Sequence, residues 1–393
     1  MIIVGGTYRE ECQSPQWSRI FGSGGRAAAT ISSQLPDTIF HTYASRLWAD
    51  DLRASMAAFG VSANVTEIDD DICFSYFHPL SLPDQTPVSV ARYPSLRAEG
   101  KAILRFGFVE GDAIVHGERV VYDPQNWSEA LIFGDNGSQA RELAVVLNES
   151  ELKRSTNKDD ETLAVEALRA RTGATIVIVK RGPRGVVVYD DTNVLYVPAY
   201  IADSIFKIGS GDVFSAVFAL EWAEKRISAL DAADKASRAV AHYVSSRSTQ
   251  LPIRFDEAMR PAPIAGIGLI YLAAPFFNLG QRWVVEEALR VLENLGAPVF
   301  SPLHEVGSSQ SSYAIAQQDL RGLEAAKAVL AIVDGEDAGT LFEVGYARAR
   351  KIPVVALAEA PRQEDLTMLI GSECSVFDDF TTAVYHSIWA AMQ

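Results

Sequence analysis

The second half of the chain is organised around the stretch Asp334-Gly-Glu-Asp-Ala-Gly-Thr-Leu-Phe-Glu-Val-Gly-Tyr-Ala347. The apolar run before it, residues 328–333, predicts a buried parallel strand. The stretch itself predicts an acidic loop that carries Asp337 and a helix that starts near Thr340, with Glu343 in its first turn. Ligands of open α/β sheets bind where such strands end, so the two carboxylates could share one small substrate. The alternative is that they only cap the helix, because acidic residues are favoured at helix N-termini.

Strand and helix patterns alternate on both sides of this stretch. The apolar periodicity predicts strands at 268–272, 298–300, 328–333 and 353–358. It predicts helices at 279–295, 312–326, 340–350 and 381–392. Regular alternation at these lengths predicts a doubly wound parallel sheet.

The first half shows the same alternation, most clearly after residue 120. Strands are predicted at 120–122, 144–147 and 175–180, a hairpin strand at 186–189, and helices at 160–171, 213–224 and 229–246. Short β-like runs within 72–120 could form an accessory sheet or lid. The proline-bearing segment 251–265 differs in composition from both flanks and predicts a linker. We therefore expect an α/β protein of two domains, residues 1–250 and 266–393.

Composition limits the kinds of partner. The 393 residues are enough for two domains, and 48% hydrophobic with 22% charged residues is typical of a soluble globular protein. A formal net charge of −15 argues against nucleic acid or an anionic membrane as the main partner. The three cysteines, Cys12, Cys73 and Cys374, have no metal-type spacing, which favours a reducing compartment. No apolar run reaches the roughly 18 residues of a membrane span, so we expect a cytoplasmic protein that binds small molecules.

The motif Gly209-Ser210-Gly211-Asp212, at a predicted helix start, suits phosphoryl chemistry. Successive backbone N–H groups and the helix dipole stabilise negative charge on a transferring phosphoryl group. Asp212 could take the proton from an attacking hydroxyl. Asn148 and Glu151, at the end of another predicted strand, could hold Mg²⁺ through water.

In this order, with Gly182-Pro-Arg-Gly185 between them, the two motifs resemble those of the ribokinase-like (PfkB) sugar and nucleoside kinases. The resemblance implies a ribokinase-like α/β sandwich that uses ATP with Mg²⁺. It implies that Asp212 is the catalytic base and that Gly209, Ser210 and Gly211 bind the phosphate, with Asn148 and Glu151 serving the metal.

The acceptor side departs from the family pattern. Gly24-Gly25 resembles the di-glycine of the family's sugar site, but Ala29 stands where an asparagine usually contacts the substrate. For the acidic residue expected after the first strand, Glu10 and Glu11 are the nearest candidates. Phosphoryl transfer to an unassigned acceptor and a degenerate kinase fold that senses a ligand both stay open.

Residues 268–358 resemble the nucleoside 2-deoxyribosyltransferases, most closely in the segment 339–347. The resemblance implies a flavodoxin-like domain without a cofactor, in which Glu343 attacks the anomeric carbon. Asp337 and Asp319 would occupy base-recognition positions. Tyr271, at the end of the first predicted strand, would hydrogen-bond Glu343.

The loop around His304 offers hydroxyl groups to a sugar. Ser301 and Ser308 could contact a 5′-hydroxyl or 5′-phosphate, whereas His304 is more simply a loop residue. Family members often complete this site from a neighbouring subunit, so we expect a homo-oligomer.

The leading hypothesis is a bifunctional enzyme: an ATP-dependent sugar or nucleoside kinase fused to a deoxyribosyltransferase or N-glycosidase that acts on 2′-deoxynucleosides or their monophosphates. One alternative keeps the glycosyl chemistry and makes the first half a nucleotide or sugar sensor. Another is cleavage of a different N-glycoside, such as NAD⁺.

Overall fold

The computed structural model describes residues 1–125, 132–191, 193–255, 259–306, 311–361 and 366–393. The chain divides into two compact units, Met1–Pro261 and Ala262–Gln393. The division falls inside the segment 251–265. Within the described residues, no helix is long and apolar enough to cross a membrane.

The N-terminal unit is an α/β structure built on thirteen strands among its described residues. The strands are β1 (Ile2–Val4), β2 (Arg9–Cys12), β3 (Trp17–Ile20), β4 (Ile39–Ser45), β5 (Ser62–Ile68), β6 (Cys73–Tyr76), β7 (Asp84–Thr86), β8 (Leu96–Phe106), β9 (Ala113–Asp123), β10 (Gln139–Asn148), β11 (Ile176–Lys180), β12 (Val186–Asp190) and β13 (Asn193–Val197). The helices are α1 (Gly22–Ile31), α2 (Ala49–Ala58), α3 (Glu149–Thr156), α4 (Glu161–Thr172), α5 (Ser210–Phe218) and α6 (Ala229–Ser246). A π-helical segment, Ala219–Glu224, continues α5, and Gly182–Arg184 forms a 3₁₀ turn.

Nine of these strands form one large sheet in the order β13-β12-β11-β10-β9-β8-β1-β4-β5. Its strands pair in parallel except at the edge formed by β12 and β13, which are antiparallel. The strands are rich in buried Val, Ile and Leu, as expected for a parallel sheet covered on both faces. The carboxyl ends of β9, β10 and β11 therefore lie side by side at one edge.

A second, four-stranded sheet has the order β3-β2-β6-β7. The accessory sheet expected within 72–120 is therefore formed by residues 73–86 together with residues 9–20. Residues 96–106 and 113–123 belong instead to β8 and β9, two eleven-residue strands of the large sheet. Their sequences contain Gly, Lys, Arg and Glu, which hide the apolar pattern that marks a buried strand.

The C-terminal unit is a smaller parallel sheet between helices. Its strands are β14 (Ile270–Ala273), β15 (Val299–Phe300), β16 (Ala328–Ile332), β17 (Val354–Leu357) and β18 (Ser375–Phe377). Its helices are α7 (Leu279–Asn294), α8 (Pro302–Glu305), α9 (Ser312–Ala325), α10 (Ala338–Ala349), α11 (Thr367–Gly371) and α12 (Phe380–Ala391). Three elements were not predicted from the sequence, α8, α11 and β18, and all are five residues or shorter.

The sheet order β15-β14-β16-β17-β18, all parallel, is the flavodoxin-like order 2-1-3-4-5. The predicted fold class, two α/β domains of which the second is a doubly wound parallel sheet, is confirmed. In this order the chain reverses direction across the sheet between β14 and β16. Ligands bind at the carboxyl ends of the strands at such a switch point.

Helix α1 packs unusually close to the large sheet through Gly24. The Gly24 N–H donates to the Gly6 carbonyl at 3.0 Å. A Cβ at position 24 would lie 2.6 Å from both the Gly5 carbonyl oxygen and the Phe40 ring. At the next position, a Cβ on Gly25 would meet only Thr7, at 3.7 Å. Close packing of α1 thus requires glycine at position 24 and not at position 25.

We expect Gly24→Ala to lower the free energy of unfolding by about 1–3 kcal/mol, because the new methyl group meets backbone that cannot move aside. Gly25→Ala is the matched control in the same helical turn. It should leave stability unchanged or raise it by up to about 1 kcal/mol, since alanine favours helix over glycine. Urea unfolding followed by circular dichroism measures both, and equal losses for the two variants would contradict the packing argument.

Candidate active site

A hydrogen bond between Tyr271 and Glu343 forms the centre of the C-terminal site. Tyr271 on β14 donates its hydroxyl to Glu343 Oε1 over 2.6 Å. The buried Tyr271 ring stacks on Phe300, with centroids 5.5 Å apart. Phe300 in turn covers Gly322 of α9, where a Cβ would lie 2.6 Å from the ring. This packing fixes the direction in which the tyrosine hydroxyl points.

Two positions differ from the sequence prediction. Tyr271 is the second of four residues in β14 and does not end the strand. Glu343 lies in the second turn of α10 and not the first, because the helix begins at Ala338. The N-cap is Asp337, whose Oδ2 accepts from the Thr340 N–H at 2.7 Å and the Thr340 hydroxyl at 3.0 Å. Asp337 therefore caps the helix, the alternative that the sequence analysis left open, and still lies at the edge of the sheet.

The electrostatic surroundings of Glu343 keep its carboxyl group near its titration point at neutral pH. Burial raises the pKa of Glu343 to about 7; the Tyr271 hydrogen bond lowers it, and the neighbouring carboxylates of Asp319 and Asp337 raise it. Burial, and then the charge of Glu343, also raises the pKa of Tyr271. Tyr271 is thus a hydrogen-bond donor and not an anion throughout the physiological range. The four predicted residues Tyr271, Asp319, Asp337 and Glu343 come together in one site.

Asp319 reaches this site from α9. Its Oδ1 atom is buried and has no hydrogen-bond partner among the described residues. Burial raises the pKa of Asp319. Buried polar atoms are nearly always hydrogen-bonded, so an unpartnered carboxylate oxygen here suits a ligand that brings its own donor.

Ser301 follows β15, the neighbour of β14, and is only 2% exposed. Although it occupies the N-cap position of α8, its hydroxyl makes no cap hydrogen bond. Instead Ser301 Oγ lies 2.9 Å from His304 Nδ1, and His304 Nε2 lies 3.1 Å from Glu286 Oε1. His304 belongs to α8 and orients Ser301, which the sequence analysis did not foresee. Ser308, the other predicted sugar contact, lies outside the described residues.

The loop between β16 and α10 is held by Asp334. Its carboxylate accepts from the Glu359 N–H at 2.9 Å and the Ala360 N–H at 3.0 Å. Gly335 and Glu336 both have positive φ, which turns the chain sharply after the strand. Asp334 thus positions the loop that follows β16.

In the N-terminal unit, buried charges meet at the carboxyl ends of β9 and β11. Asp123 ends β9 and is fully buried; its Oδ2 accepts from Lys180 Nζ at 2.8 Å and from Ser215 Oγ at 2.7 Å. Its Oδ1 is buried without a partner among the described residues. The sequence analysis assigned no role to these three residues, although Asp123-Pro124 directly follows a predicted strand.

The motif Gly209–Asp212 lies at the N-terminus of α5, as predicted. Gly209 is the N-cap with φ of +78°, a conformation that favours glycine. Lys180 Nζ lies 3.4 Å from the position that a Cβ of Gly211 would take. Burial and then the nearby Lys180 lower the pKa of Lys207 to about 8. A helix N-terminus beside two lysines is suited to an anionic phosphate group.

Asn148 and Glu151 form a capping box at the start of α3. Asn148 Oδ1 accepts from the Glu151 N–H at 2.9 Å, and Glu151 Oε2 accepts from the Asn148 N–H at 2.7 Å. In the part of the chain that the structure describes, no three His, Cys, Asp or Glu residues are grouped to hold a metal ion. Mg²⁺ usually keeps several waters and needs only one or two carboxylates plus phosphate oxygens. The unpartnered oxygen of Asp123 and the nearby Glu151, which are close enough to interact electrostatically, fit that mode.

Asp212 is bound to other side chains of the chain. Arg26 donates Nη1 to Asp212 Oδ2 at 2.6 Å and Nη2 to Glu10 Oε2 at 2.5 Å. Gln125 donates to the other oxygen, Asp212 Oδ1, at 2.5 Å. Burial raises the pKa of Asp212 and of Glu10, and the charge of Arg26 opposes both shifts.

Of the predicted acceptor-side residues, Gly24 and Gly25 are buried at the start of α1, the helix that carries Arg26.

Family models match one region in each unit. Residues 120–255 match the pfkB family carbohydrate kinases, and residues 270–378 match the nucleoside 2-deoxyribosyltransferases. No curated protein matches the chain.

Several solved structures of ribokinase-family kinases are similar to the N-terminal part of the chain. A pyrophosphate-dependent kinase in the ribokinase family, complexed with a pyrophosphate analog and myo-inositol, has 16% identity and a TM-score of 0.46, covering 65% of this chain and 98% of its own. Phosphofructokinase-2 from Escherichia coli has 15% identity and a TM-score of 0.47, with coverage of 64% and 94%. Ribokinase from Giardia lamblia has 14% identity and a TM-score of 0.48, with coverage of 63% and 94%.

Both resemblances found in the sequence are confirmed by the family matches. The chain joins a region of the pfkB carbohydrate kinase type to a region of the nucleoside 2-deoxyribosyltransferase type.

Proposed function

We propose that the C-terminal unit cleaves the N-glycosidic bond of a 2′-deoxynucleoside or its monophosphate, with Glu343 as the nucleophile. The observation that carries this proposal is the hydrogen bond from the buried Tyr271 to Glu343. It leaves one carboxylate oxygen of Glu343 for attack and holds the other in place. A carboxylate positioned in this way is what a retaining glycosyl transfer needs.

The reaction has two steps. Glu343 attacks the anomeric carbon, the bond from carbon to the base nitrogen breaks, and its electron pair leaves with the base, which takes up a proton. A second base or a water molecule then attacks the same carbon, gives up a proton, and releases the Glu343 carboxylate. The two displacements retain the configuration of the sugar.

Asp319 is the better placed of the two neighbouring carboxyl groups to serve the leaving base. Its pKa is raised by burial, and its Oδ1 has no partner among the described residues, so it can bind or protonate a base nitrogen. Asp337 uses Oδ2 to cap α10, which leaves its other oxygen for base recognition. General acid assistance contributes typically about 10²–10⁴-fold to such a step.

The sugar end of the substrate would meet Ser301. Its hydroxyl is oriented by His304 and not used as a helix cap, which supports a contact to the 5′-hydroxyl or 5′-phosphate. Cleavage of a different N-glycoside such as NAD⁺ is the alternative, because the attack by Glu343 does not itself select the base.

For the N-terminal unit we propose an ATP site with Mg²⁺, in a domain of residues 1–250 joined by a linker, residues 251–265, to the glycosyl domain of residues 266–393. The support is the α5 N-terminus beside Lys180 and the carboxylates of Asp123 and Glu151. In an active kinase, the bound nucleotide would supply a phosphoryl group for transfer to a sugar or nucleoside hydroxyl. An ATP-dependent kinase and a nucleotide-binding regulator both require this site.

We also propose that the C-terminal unit self-associates. Three large apolar side chains are exposed on the loop after β14, on α9 and on α10: Phe277 by 72%, Tyr313 by 76% and Phe342 by 62%. Exposed apolar side chains that form a contiguous patch mark a protein–protein interface. Light scattering that finds only a monomer at micromolar concentration would contradict this.

Replacement of the nucleophile is the direct test of the glycosyl reaction. We expect Glu343→Ala to lower base release from deoxynucleosides or deoxynucleotides on the order of 10⁴-fold or more, because the covalent step is lost. Glu293→Gln, which changes an exposed glutamate of α7, is the control and should leave the rate unchanged. Chromatography of released base across deoxynucleosides, their monophosphates and NAD⁺ measures the rates. Base release that survives in Glu343→Ala would exclude the proposed mechanism.

The pH dependence gives an independent test. Glu343 must be ionised to attack, so activity should fall as pH decreases through its pKa of about 7. Tyr271→Phe removes the hydrogen bond that lowers this pKa, and the inflection of kcat/KM should therefore move to higher pH. Tyr346→Phe is the matched control on α10, since Tyr346 bonds Glu324 at the surface. An identical shift in both variants, or no shift in either, would argue against the role of Tyr271.

A further inference from the structure

The acceptor side of the N-terminal unit contains a buried ion cluster of three residues, Glu10, Arg26 and Asp212. Arg26 is 0% exposed, Glu10 6% and Asp212 7%. One guanidinium nitrogen donates to each carboxylate, at 2.6 Å to Asp212 and 2.5 Å to Glu10. Burial alone would lower the pKa of Arg26, but Glu10, Tyr243 and Asp212 raise it well above its usual value. The guanidinium is therefore a permanent cation between two carboxyl groups.

The guanidinium also lies directly against the start of α5. A Cβ built on Gly209 would lie 2.1 Å from Arg26 Nε and 2.2 Å from Cζ. Arg26 Nε is buried and has no partner among the described residues. Arg26 thus fills the space between α1 and the phosphate-binding turn, and the glycine at position 209 is required to make room for it.

This arrangement commits Asp212 to partners within the protein. A general base must lie within about 2.6–3.2 Å of the hydroxyl oxygen whose proton it removes. Asp212 Oδ2 is occupied by Arg26, and Oδ1 accepts from Gln125 at 2.5 Å. Glu10, a candidate for the acidic residue that contacts an acceptor, is bound to the same guanidinium. Both carboxylates on the acceptor side are therefore held by internal hydrogen bonds and are at most 7% exposed.

A ligand could not easily displace Arg26. Removing one member of a buried ion cluster leaves the other charges buried and unpaired, which is strongly unfavourable. An acceptor would have to provide new partners for Glu10, Arg26 and Asp212 together. A neutral sugar has no charged group with which to do this.

The phosphate side is built from different residues. Lys180 Nζ is held by Asp123, with Ser215 on the same carboxylate oxygen, and lies near Gly211. The contacts described for Lys180, Asp123 and Ser215 do not include a hydrogen bond to Arg26 or Glu10. The phosphate side thus keeps its own hydrogen-bond network, although Asp212 is close enough to interact electrostatically with Asp123 and Lys180.

We propose that the N-terminal unit binds a nucleoside triphosphate through its phosphates but transfers no phosphoryl group, because Arg26 occupies the position where an acceptor hydroxyl would meet Asp212. This inference rests on the proposed ATP site. It decides between the two alternatives for this unit in favour of a nucleotide-binding regulator.

The test combines calorimetry with a transfer assay on the full-length protein. Titration with ATP and Mg²⁺ should show saturable binding to the wild type and the same affinity in Asp212→Asn. In Lys180→Met the affinity should be lower by roughly tenfold or more, because this variant loses a charged hydrogen bond to phosphate. Asp212→Asn keeps the Arg26–Glu10 pair and an oxygen for Arg26, so it should fold. Asp234→Asn, which breaks an aspartate–arginine pair on α6, is the matched control.

Transfer is measured with ATP labelled on its γ-phosphate and, as acceptors, purified sugars, nucleosides and a small-molecule cell extract. We expect no labelled acceptor product from the wild type, from Asp212→Asn or from Asp234→Asn. Label transfer by the wild type that falls by about 10²-fold or more in Asp212→Asn would overturn the inference and leave the ATP site intact. Absence of ATP binding to the wild type would instead overturn the ATP site, and the inference with it.

Discussion

A parallel sheet brings the carboxyl ends of its strands to one edge, and the chemistry of both units depends on this constraint. In the C-terminal unit, β14 and β16 are neighbours, so a residue on the first strand reaches a residue on the helix that follows the second. The hydrogen bond from Tyr271 to Glu343 is the result. Its direction is maintained by the stack on Phe300, which in turn needs the bare backbone of Gly322. Glu343, the proposed nucleophile, is therefore positioned by packing that begins two elements away.

The two units use buried carboxylates in opposite ways. Glu343 has one neutral donor and two neighbouring carboxylates, so burial is poorly compensated and its pKa is raised to about 7. In the proposed reaction, positive charge that develops at the anomeric carbon would stabilise such a carboxylate. Burial raises the pKa of Asp212 as well, but both of its carboxylate oxygens already accept hydrogen bonds, one from a guanidinium and one from an amide. A carboxylate with satisfied hydrogen bonds stabilises a fold, whereas one left partly unsatisfied is available for chemistry.

Sequence periodicity predicted the elements well where burial is continuous. The strand expected at 328–333 is Ala328–Ile332, and the helix expected at 229–246 is Ala229–Ser246. It was less successful where a local signal is ambiguous: Asp337 is both a plausible loop carboxylate and a strong N-cap, so the start of α10 was placed two residues late. The strands β8 and β9 were only partly recognised because their polar residues interrupt the apolar pattern.

The site contacts that the sequence could not reveal are those made over long separations. Arg26 and Asp212 are 186 residues apart, and no local pattern connects an arginine inside an alanine-rich helix with a distant aspartate. The Ser301–His304 contact is local, but its orientation by Glu286 comes from another helix. Only Gly322 gave a sequence signal for such a contact, the packing of Phe300 on α9, since a glycine inside a helix commonly marks close packing. Motif spacing can identify which residues a family would use, but only tertiary contacts show whether those residues are free to act.

The chemical groups that we propose as ligands of the two sites occur together in one class of molecule. In the N-terminal unit, the α5 N-terminus and Lys180 are the proposed phosphate contacts, and Glu10 and Asp212 are both paired with Arg26. In the C-terminal unit, Glu343 is the proposed nucleophile at the anomeric carbon and Asp319 the proposed partner of a base nitrogen. A nucleotide contains the phosphate, the pentose and the base that these residues address. If one unit binds nucleotides without consuming them while the other breaks the bond between base and sugar, the first can report nucleotide abundance to the second without competing for the same reaction.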